Sequence, residues 1–205
     1  IPITASGGIR SISDAKNLIM AGADKIAVNT AGLRNPKLLK DLVETFGSQC
    51  IVVSIQAKRR QDEKSWEAMS EMGREKSGID VLDWIQEVQK IGVGEILLTS
   101  VDQDGTLKNP DYELIKNASK ITRIPLIVSG GLTETSDISS VLENDSVSGV
   151  ALGGSLHYKR QSISVLKSEL KNKNLSIREK ESKKLFFPEK KPLTNVKVGI
   201  IDYEM

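Results

Sequence analysis

Ile1-Pro2-Ile3-Thr4-Ala5-Ser6-Gly7-Gly8-Ile9 returns, 123 positions later, as Ile124-Pro125-Leu126-Ile127-Val128-Ser129-Gly130-Gly131-Leu132, and Ser13-Asp14 is echoed at Ser136-Asp137 in the same register. The chain therefore carries an internal duplication. Each copy is an apolar, β-branched run ending in Ser-Gly-Gly. This is the pattern of a buried parallel strand whose C-terminal end opens into a loop that admits an anion. Two such ends predict a ligand with two phosphates.

The spacing narrows the fold. About 120 residues hold four strand-helix units of roughly 30 residues, half of a barrel of about 250. Strands are expected at 1–6, 24–29, 50–56, 95–100, 124–129 and 147–152, each followed by a helical stretch. Ser13-Asp14 reads as cap and first turn of one helix, and Val81, Leu82, Ile85, Val88 and Ile91 form a helical stripe ending at Gly92. The expected fold is α/β: a (β/α)8 TIM-type barrel, here a fragment covering about strands 3 to 8, with residue 1 lying mid-barrel. Residues 1–170 form the barrel part. Residues 171–195 are lysine-rich with Pro188 and Pro192 and read as a helix end and linker, and 196–205 is an apolar tail. The charged stretch from Lys58 to Gly78, with Trp66, is too long for an ordinary connection and reads as a functional loop with some structure of its own.

Composition bounds the function. With 39% hydrophobic and 27% charged residues and a net charge of +2, the chain has no electrostatic case for nucleic acid and no apolar run of membrane-spanning length. The single cysteine, Cys50, forms no internal disulfide, and a cytoplasmic location is the simplest expectation. One cysteine and one histidine, His157, indicate no metal site; His157 is expected to pack rather than to catalyse. Trp66 reads as a loop anchor and Trp84 as a helix core residue.

Four further blocks carry a family resemblance: Gly22-Ala23-Asp24-Lys25-Ile26-Ala27-Val28-Asn29-Thr30, Phe46-Gly47-Ser48-Gln49-Cys50-Ile51-Val52-Val53, Gly94-Glu95-Ile96-Leu97-Leu98-Thr99-Ser100 and Asp102-Gln103-Asp104-Gly105-Thr106. They resemble the cyclase subunit of imidazole glycerol phosphate synthase, from residue 1 to about Arg178. The resemblance implies a (β/α)8 enzyme of histidine biosynthesis without a cofactor. Such an enzyme takes ammonia from a glutaminase partner and converts a bisphosphorylated ribulosyl nucleotide precursor into imidazole glycerol phosphate and an aminoimidazole carboxamide nucleotide, a carbon-nitrogen lyase reaction with ring closure.

Backbone N–H groups reach a phosphate where side chains are absent, and a following helix start adds partial positive charge. One phosphate site is expected at Gly7, Gly8, Asn29 and Thr30, the other at Asp104, Gly105, Gly130, Gly131, Gly154 and Ser155; the bland alternative is that Gly-Gly marks tight turns alone. The family places catalytic aspartates at the ends of its first and fifth strands. The first strand precedes residue 1 on this reading, and at the fifth, Ser54-Ile55-Gln56-Ala57-Lys58-Arg59 puts Gln56 where the family has aspartate. Glutamine neither accepts nor donates a proton near neutral pH, so Gln56 is not a general acid or base: either another carboxylate such as Asp104 compensates, the activity is reduced or changed, or Gln56 is a peculiarity of this sequence. Lys25 and Glu95, immediately before their strands, are expected at the opposite mouth, as the family's ammonia gate or as a salt bridge that solvates the barrel bottom. Asp24 beside them would face the glutaminase.

The tail Val198-Gly199-Ile200-Ile201-Asp202-Tyr203-Glu204-Met205 is similar to the first strand of that glutaminase, or is an accidental apolar end. The partner therefore acts in trans or is fused C-terminally. Two other readings stay open. Leu156-His157-Tyr158 and Asn109-Pro110-Asp111 lean towards a related barrel that channels ammonia for sugar amidation in surface polysaccharide synthesis, and Gln56 also suits a non-catalytic barrel that docks and activates a glutaminase.

Overall fold

A computed structural model of the chain describes residues 2–61, 64–158, 162–173 and 175–177. Strands and helices alternate: β1 (Thr4–Ser6), α1 (Ile12–Met20), β2 (Lys25–Val28), α2 (Thr30–Arg34), α3 (Pro36–Phe46), one 3-10 turn (Ser48–Cys50), β3 (Ile51–Arg59), β4 (Trp66–Ser70), β5 (Glu75–Asp80), α4 (Val81–Ile91), β6 (Glu95–Ser100), α5 (Tyr112–Ile121), β7 (Leu126–Ser129), α6 (Thr135–Leu142), β8 (Gly149–Ala151), α7 (Gly154–His157) and α8 (Ile163–Asn172).

Six strands form one parallel path in the order β1-β2-β3-β6-β7-β8. Each parallel strand lies beside the next one in the chain, so the winding never reverses as it does at the switch point of a doubly wound sheet. This is the winding of a (β/α)8 barrel, and the fold is a partial barrel of that type.

The register assigns the two faces. Ile26 pairs with Ile51, Val53 with Ile96, Ile55 with Leu98, Ile96 with Leu126 and Leu98 with Val128, and all these side chains join the core under the helices. Alternation puts their neighbours on the inner face: Ser6, Ala27, Val52, Ser54, Gln56, Leu97, Thr99, Ile127, Ser129 and Ala151. Large aliphatics on the outer face carry stability, at about 2 kcal/mol for each fully buried side chain, while the inner face holds Val52, Leu97 and Ile127 lower down and turns small and polar towards the C-terminal strand ends, at Gln56, Thr99, Ser129 and Ala151.

The helices supply the other half of the core. In α4, Val81, Trp84, Ile85 and Val88 are buried at helical spacing, Asp80 caps the start by accepting from the N–H groups of Leu82 and Asp83, and Gly92 ends the helix in the left-handed region. In α3, Leu38, Leu39 and Leu42 form the buried stripe.

All six expected strands are present: the fourth has the expected bounds, β3 begins at Ile51 and runs on to Arg59, and the first, second, fifth and sixth are shorter than expected. The stretch from Lys58 to Gly78, expected as a loop, extends β3 and folds into the β4–β5 hairpin; β4 runs antiparallel to β3, with Gln56 opposite Met69 and Arg59 opposite Trp66. The cap of α1 is Ser11 rather than Ser13: the Ser11 hydroxyl accepts from the Asp14 N–H and donates to its carboxylate. Lys25 and Glu95 are the first residues of their strands rather than the residues before them. Cys50 lies half-buried in the 3-10 turn. His157 is exposed, its ring edge-on to Tyr158, and so does not pack into the core. Of the expected linker, residues 171–173 and 175–177 are described, and the expected tail at 196–205 lies outside the described residues. No helix among the described residues is long and apolar enough to cross a membrane.

Candidate active site

In a sheet whose six main strands all run the same way, residues that follow a strand gather at one edge and residues that open a strand gather at the other. Gly7 and Gly8 follow β1, Asn29 and Thr30 follow β2, and Gln56 lies in the last turn-ward part of β3. Asp104 and Gly105 follow β6, Gly130 and Gly131 follow β7, and Gly154 and Ser155 follow β8. These eleven sequence-selected residues therefore share the C-terminal mouth. Asp24, Lys25 and Glu95 lie at the opposite edge.

At that opposite edge Lys25 Nζ donates to Glu95 Oε2 at 2.5 Å, with the carboxylate only 13% exposed. Asp24 accepts from the Ile3 N–H at 2.7 Å and so ties β1 to β2.

At the C-terminal mouth the β4–β5 hairpin organises the site, which the sequence did not foretell. Asn29 Nδ2 donates to the Met69 carbonyl at 3.3 Å, and Thr30 Oγ1 accepts from the Glu71 N–H at 2.9 Å. Arg34, one helical turn beyond Thr30, pairs with Glu71 at 3.1 Å and with Glu75 at 3.0 Å. The hairpin turn, Glu71-Met72-Gly73, is left-handed at all three residues, and a Cβ on Gly73 would lie 3.9 Å from Gln56 Oε1.

The base of the hairpin is held from the other half of the sheet. Asp111, with its side chain 6% exposed, accepts from Arg59 Nη2 at 2.9 and 3.1 Å, from Trp66 Nε1 at 2.9 Å and from the Leu114 N–H at 3.0 Å. Arg59 also pairs with Glu113 at 2.8 Å and stacks on the Trp66 ring, 4.6 Å from its centroid. Burial alone would lower the Arg59 pKa, but the pairs with Glu113 and Asp111 outweigh it and hold the guanidinium above the ordinary arginine value. Trp66 is thus an anchor, as its place in a charged stretch suggested. Arg59 and Asp111 were missed; the sequence signal was Lys58-Arg59-Arg60, three cations running on from an apolar strand.

Asn29 Oδ1, Gln56 Oε1, Gln103 Oε1 and Ser155 Oγ are buried at this mouth without a hydrogen-bond partner among the described residues. Three are amide carbonyl oxygens, which only accept. Buried acceptors of this kind mark where a ligand presents N–H or O–H donors. Gln56 can therefore bind and orient a ligand there, and cannot move its protons. Asp104, exposed in the turn after β6, is a carboxylate of the same mouth. Among the described residues no group of three or more His, Cys, Asp or Glu side chains could hold a metal ion.

Residues 1–162 match the family described as "Histidine biosynthesis protein". Among curated relatives, the imidazole glycerol phosphate synthase subunit HisF of Clostridium botulinum strain Okra is 43% identical over 178 residues, covering 87% of this chain and 70% of the relative. The subunit of the same name from Legionella pneumophila is 54% identical over 132 residues, 64% of this chain and 62% of the relative. That of Streptococcus sanguinis is 42% identical over 178 residues, 87% of this chain and 70% of its own length.

Proposed function

Since the chain belongs to the histidine biosynthesis protein family and is a cyclase subunit of the imidazole glycerol phosphate synthase type, we propose that it uses ammonia from a glutaminase partner to close the imidazole ring. The substrate is the bisphosphorylated ribulosyl aminoimidazole carboxamide precursor, and the products are imidazole glycerol phosphate and aminoimidazole carboxamide ribonucleotide, a carbon-nitrogen lyase reaction. The relatives favour this reading over sugar amidation and over a non-catalytic docking barrel.

The observation that carries the reading is the sharing of one sheet edge by two Ser-Gly-Gly strand ends. Gly7, Gly8, Asn29 and Thr30 take one phosphate through backbone N–H groups and the Thr30 hydroxyl. Gly105, Gly130, Gly131, Gly154 and Ser155 take the other. Held at both ends, the precursor lies across the inner face with its hydroxyl and amide donors towards Asn29 Oδ1, Gln56 Oε1 and Gln103 Oε1. Ring closure needs protons moved at the middle of the ligand. Gln56 orients the reacting part by hydrogen bonding, and Asp104 is the carboxylate assigned to proton transfer. Ammonia enters past Lys25 and Glu95 at the other mouth, and Asp24 faces the glutaminase. Such an enzyme works in the cytoplasm, and the segments at 171–195 and 196–205 act as linker and tail to a partner fused or in trans.

The test is ammonia-dependent turnover of the precursor by the full-length protein. Turnover is expected with Gln56 in place, and Gln56→Asp is expected to raise kcat by about a hundredfold through a restored acid/base group. Tight binding of the precursor with no turnover in either protein would overturn the assignment of ring closure to this chain.

A further inference from the structure

We propose that Arg59 is a positioning residue for this chemistry: stacked on Trp66 and paired with Asp111, it holds the β4–β5 hairpin across the mouth so that the hairpin turn orients the Thr30 hydroxyl. This rests on the assignment of Thr30 to a phosphate site.

The hairpin has two anchorages on different halves of the sheet. At its base, Arg59 and Trp66 face each other across the β3–β4 ladder and both bond to Asp111, the buried cap of α5. At its turn, the Glu71 N–H donates to Thr30 Oγ1, and Asn29 donates to Met69 O. Trp66 and Glu71 are five residues apart, about 17 Å along an extended strand, so one stiff element spans from the second half to the first.

The hydrogen-bond chemistry gives that span a consequence. A hydroxyl that accepts an N–H turns its own proton away from that donor. With the Glu71 amide fixed, the Thr30 proton is directed elsewhere, available to an anion at the end of β2. Lifting the hairpin frees the Thr30 hydroxyl to rotate and removes the partner of Asn29 Nδ2. Arg59 suits the base because its planar guanidinium pairs with the Asp111 carboxylate through two hydrogen bonds while lying on the indole face, which lysine cannot reproduce.

The experiment combines steady-state kinetics with ammonia and amide hydrogen exchange on the full-length protein. Arg59→Gln is expected to raise KM for the precursor about tenfold with kcat within about twofold, and Arg59→Lys to recover part of the loss. In Arg59→Gln the amides of 69–71, at the far end of the hairpin, are expected to lose protection. An unchanged KM, or unchanged protection at Glu71, overturns the proposal, as does a drop in thermal stability with both kinetic constants unmoved. If Arg59→Gln does not fold, Trp66→Phe replaces it: this keeps the ring face, removes the Nε1–H bond to Asp111, and is expected to raise KM about threefold, with no rise counting against the role. If the wild-type protein shows no turnover, the cyclase reading is what fails, and protection of the Glu71 amide in Arg59→Gln alone supports or overturns the positioning role.

Discussion

The two copies of the Ser-Gly-Gly strand end have nearly the same sequence and opposite surroundings. Gly7 and Gly8 are exposed beyond β1, which ends the sheet path, and a Cβ added at either meets nothing within 4 Å. Gly130 and Gly131 are buried beyond β7, between β6 and β8; a Cβ at Gly130 would lie 2.6 Å from the Ser100 carbonyl oxygen, and one at Gly131 2.7 Å from that of Asn109. All four have left-handed φ, from 69 to 96°. The two copies therefore share a backbone conformation, and among the described residues of 1–205 only the second has a neighbouring strand and loop packed against it. In the first copy the left-handed φ is what calls for glycine. In the second it is required by the protein's own backbone, where the loop after β6 crosses the strand end.

The sharpest way to break this comparison is to add the missing methyl groups. Gly131→Ala combines a left-handed φ with an unavoidable backbone overlap and is expected to cost about 3 kcal/mol or more. Gly8→Ala has only the φ to overcome and is expected to cost about 1 kcal/mol. Urea denaturation of both variants measures the difference, and equal costs would mean that the close approach at Gly131 relaxes freely.

The Ser-Asp echo separates the copies in the same way. Asp14 closes a reciprocal cap on its own helix, bonding to the Ser11 hydroxyl and the Arg10 N–H. Asp137 in α6 is buried and accepts from the Tyr112 hydroxyl of the neighbouring helix at 3.0 Å, while Glu134, the cap of α6, makes no side-chain cap bond. One aspartate is local and the other tertiary. Asp137→Ala, which empties a buried position and breaks its bond to the neighbouring helix, is expected to cost about 2 kcal/mol, against about 1 kcal/mol for loss of the α1 cap in Ser11→Ala. A smaller loss at Asp137 than at Ser11 in the same denaturation series would invert the assignment.

These contrasts explain what the sequence disclosed. The six parallel strands were legible because both of their faces are covered and the sequence runs apolar, as in Ile51-Val52-Val53 and Ile96-Leu97-Leu98, and chain direction then sorted the mouth residues from Lys25 and Glu95. The hairpin was not legible: β5 begins Glu75-Lys76-Ser77-Gly78, with no apolar residue to alternate, and is a strand because β4 supplies its partner. Nor were Asn29 to Met69, Thr30 to Glu71 and Arg59 to Asp111, contacts across 40 to 52 residues that exist only once the hairpin has folded back. At α1 the repeat register pointed to Ser13, whereas the local spacing of Ser11 and Asp14 is the one a capping box requires.

The smallest expected effect is a dependence on pH that divides the two copies. The hydrogen bond from the Ser11 hydroxyl, followed by that from the Arg10 N–H, holds the Asp14 pKa below its ordinary value. A depressed carboxylate pKa stabilises the fold above the unfolded value, about 3.9, and that contribution is lost as pH falls through the folded pKa. Burial, then the bond to Asp137 and its charge, push the Tyr112 pKa up. A raised phenol pKa contributes fully below the unfolded value, about 10, and is lost as pH rises through the folded one. The first copy's aspartate contact therefore fails in acid and the second copy's in alkali. With Tyr112 43% exposed, its bond is worth about 0.5 kcal/mol at neutral pH after screening. The gap between wild type and Asp14→Asn is expected to close towards about pH 3, and that between wild type and Tyr112→Phe towards about pH 11. Urea midpoints across that range measure both gaps. A Tyr112→Phe gap that persists in alkali would show that the ring's packing, rather than its bond to Asp137, is what distinguishes the second copy.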